Sequence, residues 1–348
     1  MNESESPNIA PHPSSPLFFG PDGLRAGWSL LIATILFVIV AAGSNAVIHR
    51  LHPAHTSAND ASPLLIFLNE FIVFLCVALV TWIMSRIEGR PVSVYGLGGQ
   101  HKLRNLLTGM FWGVLSLSLL VLMLDKLGLL QFDGRLLFGS DVLRYATMWI
   151  PAFLAIGFFE EYLFRGYLQY TLTRGLTGLA NRFPLNINPH AVGFWAAAFL
   201  VSFGFGAVHG GNPGESPVGL VIAGLASIVF CLSLWRTGSL WWAIGAHSAW
   251  DWAQSFLYGV ADSGYVARFH LFATHPVGKP LLSGGATGPE GSLLALPILA
   301  LLAGVILVTL RGNPTSYATN LPPLRPSSLE TGFLPNPVPA PPFEEHRR

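Results

Sequence analysis

The chain has 348 residues, of which 51% are hydrophobic and only 11% charged, with a formal net charge of +1. A soluble domain gives about a quarter of its residues to Asp, Glu, Lys and Arg, so this composition excludes an ordinary aqueous globule. The near-zero charge provides no footprint for nucleic acid, and the two cysteines, Cys76 and Cys231, both within apolar stretches, frame no disulfide scaffold.

Residues 1–24 are polar and contain proline without a basic cluster, which predicts an N-terminal tail rather than a cleavable signal peptide. A spanning helix needs about 20 mainly apolar residues. Eight stretches qualify, near 26–48, 62–85, 105–125, 147–172, 191–210, 217–235, 239–258 and 291–310. The expected fold is therefore all-α, a polytopic membrane helical bundle of about eight transmembrane helices. The chain divides into a tail (1–24), N-terminal helices without motifs (25–146), a core (147–258), a loop with the last helix (259–311) and a proline-rich, disordered extension (312–348).

The basic residues set the orientation. With eight spans both termini share a side, which also holds Arg86, Arg90, Lys102, Arg104, Arg174 and Arg182. Arg50, Lys126, Arg135, Arg144, Arg268 and Lys279 fall on the other side, the poorer set, so the positive-inside rule places both termini in the cytoplasm, in a cell (plasma) membrane.

Three motifs interrupt the apolar helices. In "IGFFEEYLFRG", Glu161 and Arg165 are four apart and share a helix face, whereas Glu160 points about 100 degrees away and lacks a local partner. "SFGFGAVHGG" sets Phe205 and His209 four apart near a helix end, and "WWAIGAHSAWDW" does the same for His247 and Asp251. Each ionisable group costs roughly 3 kcal/mol at the centre of a spanning helix and faces the bundle interior. The three motifs are therefore expected to converge on one polar cavity. Two histidines with a carboxylate would suit a catalytic zinc site; they would equally suit a metal-free hydrolase in which a glutamate activates water. A proton-coupled transporter or a non-catalytic membrane scaffold could use the same cluster. A transporter needs a continuous polar path over more helices, no internal repeat is visible, and no member of the Glu and His set is lost, so hydrolysis is preferred.

The order EExxxR (Glu160, Glu161, Arg165), FxxxH (Phe205, His209) and HxxxD (His247, Asp251), each in its own apolar helix, resembles the CAAX protease and bacteriocin-processing family. That family includes the type II CAAX prenyl endopeptidases and bacterial Abi-type proteins. The resemblance implies an intramembrane endopeptidase acting on a lipidated or membrane-associated protein or peptide. Glu160 and His209 would bind and activate water, Glu161 and Arg165 would support them, and His247 and Asp251 would face the scissile carbonyl or complete a metal site. The metal set would be Glu160, His209 and His247 holding Zn2+; under a glutamate mechanism no cofactor is needed. Prenyl endopeptidases typically carry Asn where this chain has Asp251, and an ionised carboxylate repels an oxyanion. A carboxylate that orients His247 suits a metal-bound imidazole, which tilts the sequence reading toward zinc.

Two weaker features complete the survey. "HRLHPAH" sets His49, His52 and His55 three apart around Pro53, as in a solvated loop, and Glu70 could reach the cavity or anchor its helix at the interface. Glu160 near mid-helix and His209 near a helix end would sit at different depths on straight spans. The fourth helix should therefore run beyond the bilayer, or the fifth be displaced.

Overall fold

The computed structural model describes residues 17–20, 23–51, 62–183 and 187–310. The proline-rich extension and two of the three loop histidines, His52 and His55, lie outside them, as does the side chain of His49. Ten α-helices are described: α1 (Ala26–Leu51), α2 (Pro63–Glu88), α3 (Lys102–Lys126), α4 (Ser140–Glu161), α5 (Gln169–Ala180), α6 (Pro189–Val208), α7 (Pro217–Thr237), α8 (Trp241–Trp252), α9 (Pro280–Ser283) and α10 (Ala295–Thr309). Four short strands form two antiparallel pairs, β1 (Phe19–Gly20) with β2 (Gly23–Leu24) and β3 (Leu130–Arg135) with β4 (Phe272–Pro276). The protein is a helical membrane bundle. Large apolar side chains point outward, as on α1 (Val38, Ile39), α6 (Phe199, Phe203) and α10 (Val308), which is the arrangement a lipid surroundings rewards.

Six segments are long and apolar enough to cross a bilayer, among the described residues: Ala26–Val47, Pro63–Glu88, Lys102–Lys126, Ser140–Ala180, Pro189–Gly211 and Pro217–Thr237. The count therefore differs from the eight read from the sequence. The stretch at 239–258 becomes a 12-residue helix continued by a π-helical turn (Ala253–Leu257), and the last apolar helix has 15 residues. Hydropathy marks apolar sequence, but a helix packed among neighbours need not be long enough to span. The fourth element departs in the opposite sense. Its 41 residues run from Ser140 to Ala180 through a π-helical segment at Tyr162–Leu168, about 61 Å at 1.5 Å per residue, roughly twice the hydrocarbon thickness.

Contacts between loops define the two ends of the bundle. At one end Glu88 pairs with Arg90 and Arg174, and Arg174 donates to Ser29. The end of α7 meets the end of α10 where Arg236 donates to the Leu310 carbonyl. At the other end β3 and β4 pair, and the loops after α6 and after α8 meet, with the Gly264 backbone donating to Thr287 and the Thr287 hydroxyl to the Gly214 carbonyl.

The motif helices are held by glycine contacts that admit no side chain. A Cβ on Gly109 would lie 2.1 Å from the Trp242 carbonyl, one on Gly113 2.3 Å from that of Ala246, and one on Gly245 2.1 Å from that of Leu106. These three positions bring the α3 and α8 backbones into direct contact, the small-residue packing that lipid-embedded helices use. Gly206 meets the Leu220 carbonyl in the same way, fixing α6 against α7. Around α8 the core is built from Leu117, Leu120 and Leu124 of α3, Trp242 of α8 and Ile298 and Leu302 of α10.

Candidate active site

Glu160 and Glu161 end α4, and the π-helical segment follows at once. Wide turns of this kind frequently mark functional sites, because they re-aim side chains within an otherwise regular helix. His209 lies just beyond the end of α6, in a 3-10 turn (His209–Gly211), and His247 and Asp251 lie on α8, which its own π-helical turn continues.

Glu161 and Arg165 form a fully buried ion pair, with the Arg165 Nη1 3.1 Å from the Glu161 Oε1. The guanidinium stacks 3.9 Å over the Phe205 ring and 5.7 Å from that of Phe230, so an aromatic surface replaces the lost hydration. The same Glu161 Oε1 accepts a hydrogen bond of 2.8 Å from the His247 Nδ1. Glu161 thus links arginine to imidazole. Its partner role toward His247 is what the sequence reading had offered to Asp251. Asp251 instead stands with its Oδ2 3.6 Å from the His247 Nε2, beyond hydrogen-bond length, and Glu160 approaches the same Nε2 at 3.7 Å. The His209 Nδ1 donates to the Phe205 carbonyl over 2.7 Å. A neutral ring that donates through Nδ1 keeps its Nε2 lone pair free to accept.

These groups share a cavity of about 510 Å³ whose wall includes Glu160, His209, His247 and Asp251. Glu70 lines it too, so the α2 carboxylate faces the interior and not the interface.

Arg165 and Glu161 stand behind this wall, buried, with Phe205 and His247 between them and the open space. Three further carboxyl groups reach the cavity from loops: Glu215, Asp262 and Glu290. Glu290 accepts from the Ser263 hydroxyl at 3.1 Å as well as from its backbone N–H and from the Gln254 amide, and Asp262 accepts from Ser255 at 3.0 Å. Sequence reading missed all three. Each sits in a turn-rich segment (GES, ADSG, GPEG) where an acid costs nothing and so attracts no notice.

Zinc was the cofactor that the resemblance raised. Both Nδ1 atoms are engaged by protein acceptors, which leaves the Nε2 of each ring available, as in a metal-binding imidazole; among the described residues, however, no group of three or more His, Cys, Asp or Glu is arranged to hold a metal ion. This arrangement does not offer the three-ligand set that the zinc reading requires. No step below is routed through a metal.

Comparison with known proteins places this site in a family setting. Residues 142–253 match the family model described as Type II CAAX prenyl endopeptidase Rce1-like, a span that contains all seven motif residues. No curated protein and no solved structure matches the chain.

Proposed function

Proceeding from an Rce1-like, CAAX-protease domain at residues 142–253, we propose that this integral membrane protein is an endopeptidase that hydrolyses a peptide bond with a water activated by Glu160. Support comes from one observation above all: Glu160, His209, His247 and Asp251, contributed by three separate segments, line a single cavity. Glu160 is the one motif glutamate open to that cavity, since Glu161 is held by Arg165 and His247.

In this reading Glu160 takes a proton from water while the His209 Nε2 accepts a hydrogen bond from the O–H that remains. The hydroxide attacks the scissile carbonyl carbon. The resulting oxyanion accepts a hydrogen bond from the Nε2 of His247 in its imidazolium form, whose charge Glu161 and Asp251 balance while Glu160 holds the proton. Collapse of the tetrahedral intermediate breaks the C–N bond, and the proton on Glu160 passes to the departing amine. Glu161 is a positioning residue: its hydrogen bond to Nδ1 fixes the ring so that Nε2 faces the cavity.

The substrate class is a membrane-associated or prenylated protein or peptide, and both chain termini face the cytoplasm of a plasma-membrane protein. The test is cleavage of a quenched fluorescent peptide library, with and without a lipid anchor, by protein purified in detergent. Wild type cleaves, and Glu160→Gln and His209→Ala lose roughly a hundredfold or more in kcat/KM, the scale of a lost general base. Failure of wild type to cleave any member overturns the proposal in favour of a non-hydrolytic scaffold or proton-coupled transporter, and full activity in Glu160→Gln overturns the role given to Glu160.

A further inference from the structure

Among the described residues, the cavity wall carries six carboxyl groups, from Glu70, Glu160, Glu215, Asp251, Asp262 and Glu290, against the two imidazoles of His209 and His247 and no Lys or Arg. Glu160 and Asp251 are partly balanced by His247. Among the described residues, no ion pair involves Glu70, Glu215, Asp262 or Glu290. The three loop carboxyls are met only by neutral donors, backbone N–H, Ser and Gln.

Asp251 is a second and separate sign. It is only 7% exposed, lines the cavity and accepts no hydrogen bond from any described residue, its nearest cationic atom standing 3.6 Å away. A carboxylate so buried and so poorly served is costly unless something else satisfies it. Beside it Trp250 and Tyr265 also form the wall. Their ring faces attract an organic cation, which a hydrated metal ion would not exploit as well. The absence of a metal-holding trio among the described residues points the same way.

We propose that the loop end of the cavity, walled by Asp251, Asp262, Glu290, Trp250 and Tyr265, is a subsite for the ammonium or guanidinium group of a Lys or Arg side chain in the bound peptide. The subsite rests on the endopeptidase reading for its connection to cleavage, but the binding it describes does not.

The probes are C-amidated fluorescent octapeptides in which one position at a time is Lys, norleucine or Glu. They are titrated onto purified Glu160→Gln protein, so that hydrolysis does not intervene. At one or two adjacent positions the Lys peptide binds about tenfold or more tightly than its norleucine partner, and the Glu peptide more weakly still. Asp262→Asn and Glu290→Gln each cut that preference several-fold. Asp262→Asn is the safer variant, since its amide oxygen still accepts from Ser255. Equal binding of Lys and norleucine peptides at every position overturns the subsite, as does a Lys preference that both substitutions leave untouched. A Lys preference in peptides that wild type never cleaves would uphold the subsite while removing the endopeptidase reading, so the two failures are distinguishable.

Discussion

Gly157 sits on α4 three residues before Glu160, and Ser248 follows His247 on α8, so their contact sets the distance between the two halves of the site. A Cβ built on Gly157 lies 2.3 Å from the Ser248 Oγ and 3.0 Å from its backbone nitrogen, whereas ordinary contact begins at 3.4 Å. Gly157→Ala must therefore displace the hydroxyl by about 1.1 Å and the backbone by about 0.4 Å. Overpacking of this kind costs about 1–3 kcal/mol. The chemistry is affected more, because a misplacement near 1 Å can cost a hundredfold in rate. The expected result is a kcat/KM about 10 to 100 times below wild type, with a modest fall in unfolding temperature followed by tryptophan fluorescence. The double variant Gly157→Ala, Ser248→Ala removes the larger clash and keeps the smaller, so it recovers most of the stability and part of the rate. Unchanged activity and stability in Gly157→Ala would refute the idea that the α4–α8 contact sets the catalytic geometry.

Three further outcomes follow from the buried and loop-borne charges. Arg165→Met leaves Glu161 without its guanidinium partner where both side chains are fully buried and lowers stability by about 3–5 kcal/mol; adding Glu161→Gln restores most of it in a denaturant titration, while cleavage stays impaired because the amide still accepts from the His247 Nδ1 but no longer balances the imidazolium charge. Asp251→Asn retains cleavage within about tenfold of wild type, since an amide at 3.6 Å from the His247 Nε2 can donate to the oxyanion; loss of all activity would show that the carboxylate itself is required. Burial, and after it Asp262, pushes the Glu290 carboxyl from its ordinary 4.5 up to about 8. A carboxyl whose pKa is raised in the fold holds its proton more tightly folded than unfolded. Its stabilising contribution is therefore complete below about 4.5, declines as pH rises and is gone above about 8. The unfolding temperature of wild type should fall across that window more steeply than that of Glu290→Gln, and parallel slopes would contradict the assignment.

Much of the site was legible because charge inside apolar sequence is expensive. That cost singled out Glu160, Glu161, Arg165, His209, His247 and Asp251, and helical spacing alone paired Glu161 with Arg165. Spacing within one helix could not show that Glu161 also serves His247, which lies 86 residues away on α8. It equally favoured Asp251 as the partner of His247, because i,i+4 proximity says nothing about which ring nitrogen a carboxylate reaches. The two π-helical turns were hidden as well, since Tyr162–Leu168 and Ala253–Leu257 have the composition of ordinary helix. Hydropathy marked apolar sequence but not helix lengths: α8 ends at Trp252 and passes into a π-helical turn although its sequence stays apolar. Asp262 and Glu290 escaped notice for the opposite reason to Glu160. In a loop an acid looks solvated, and only the fold folds these loops over the cavity.

The proposed mechanism turns on Glu160 as the base that activates the attacking water. The most direct test is kcat/KM for the best-cleaved peptide in wild type and Glu160→Ala, each measured before chelation, after chelation and after zinc is restored. If Glu160 acts as the proposed base, wild-type activity survives chelation unchanged and Glu160→Ala is inactive in all three conditions. Activity that chelation abolishes and zinc restores, or cleavage that persists in Glu160→Ala, would contradict it.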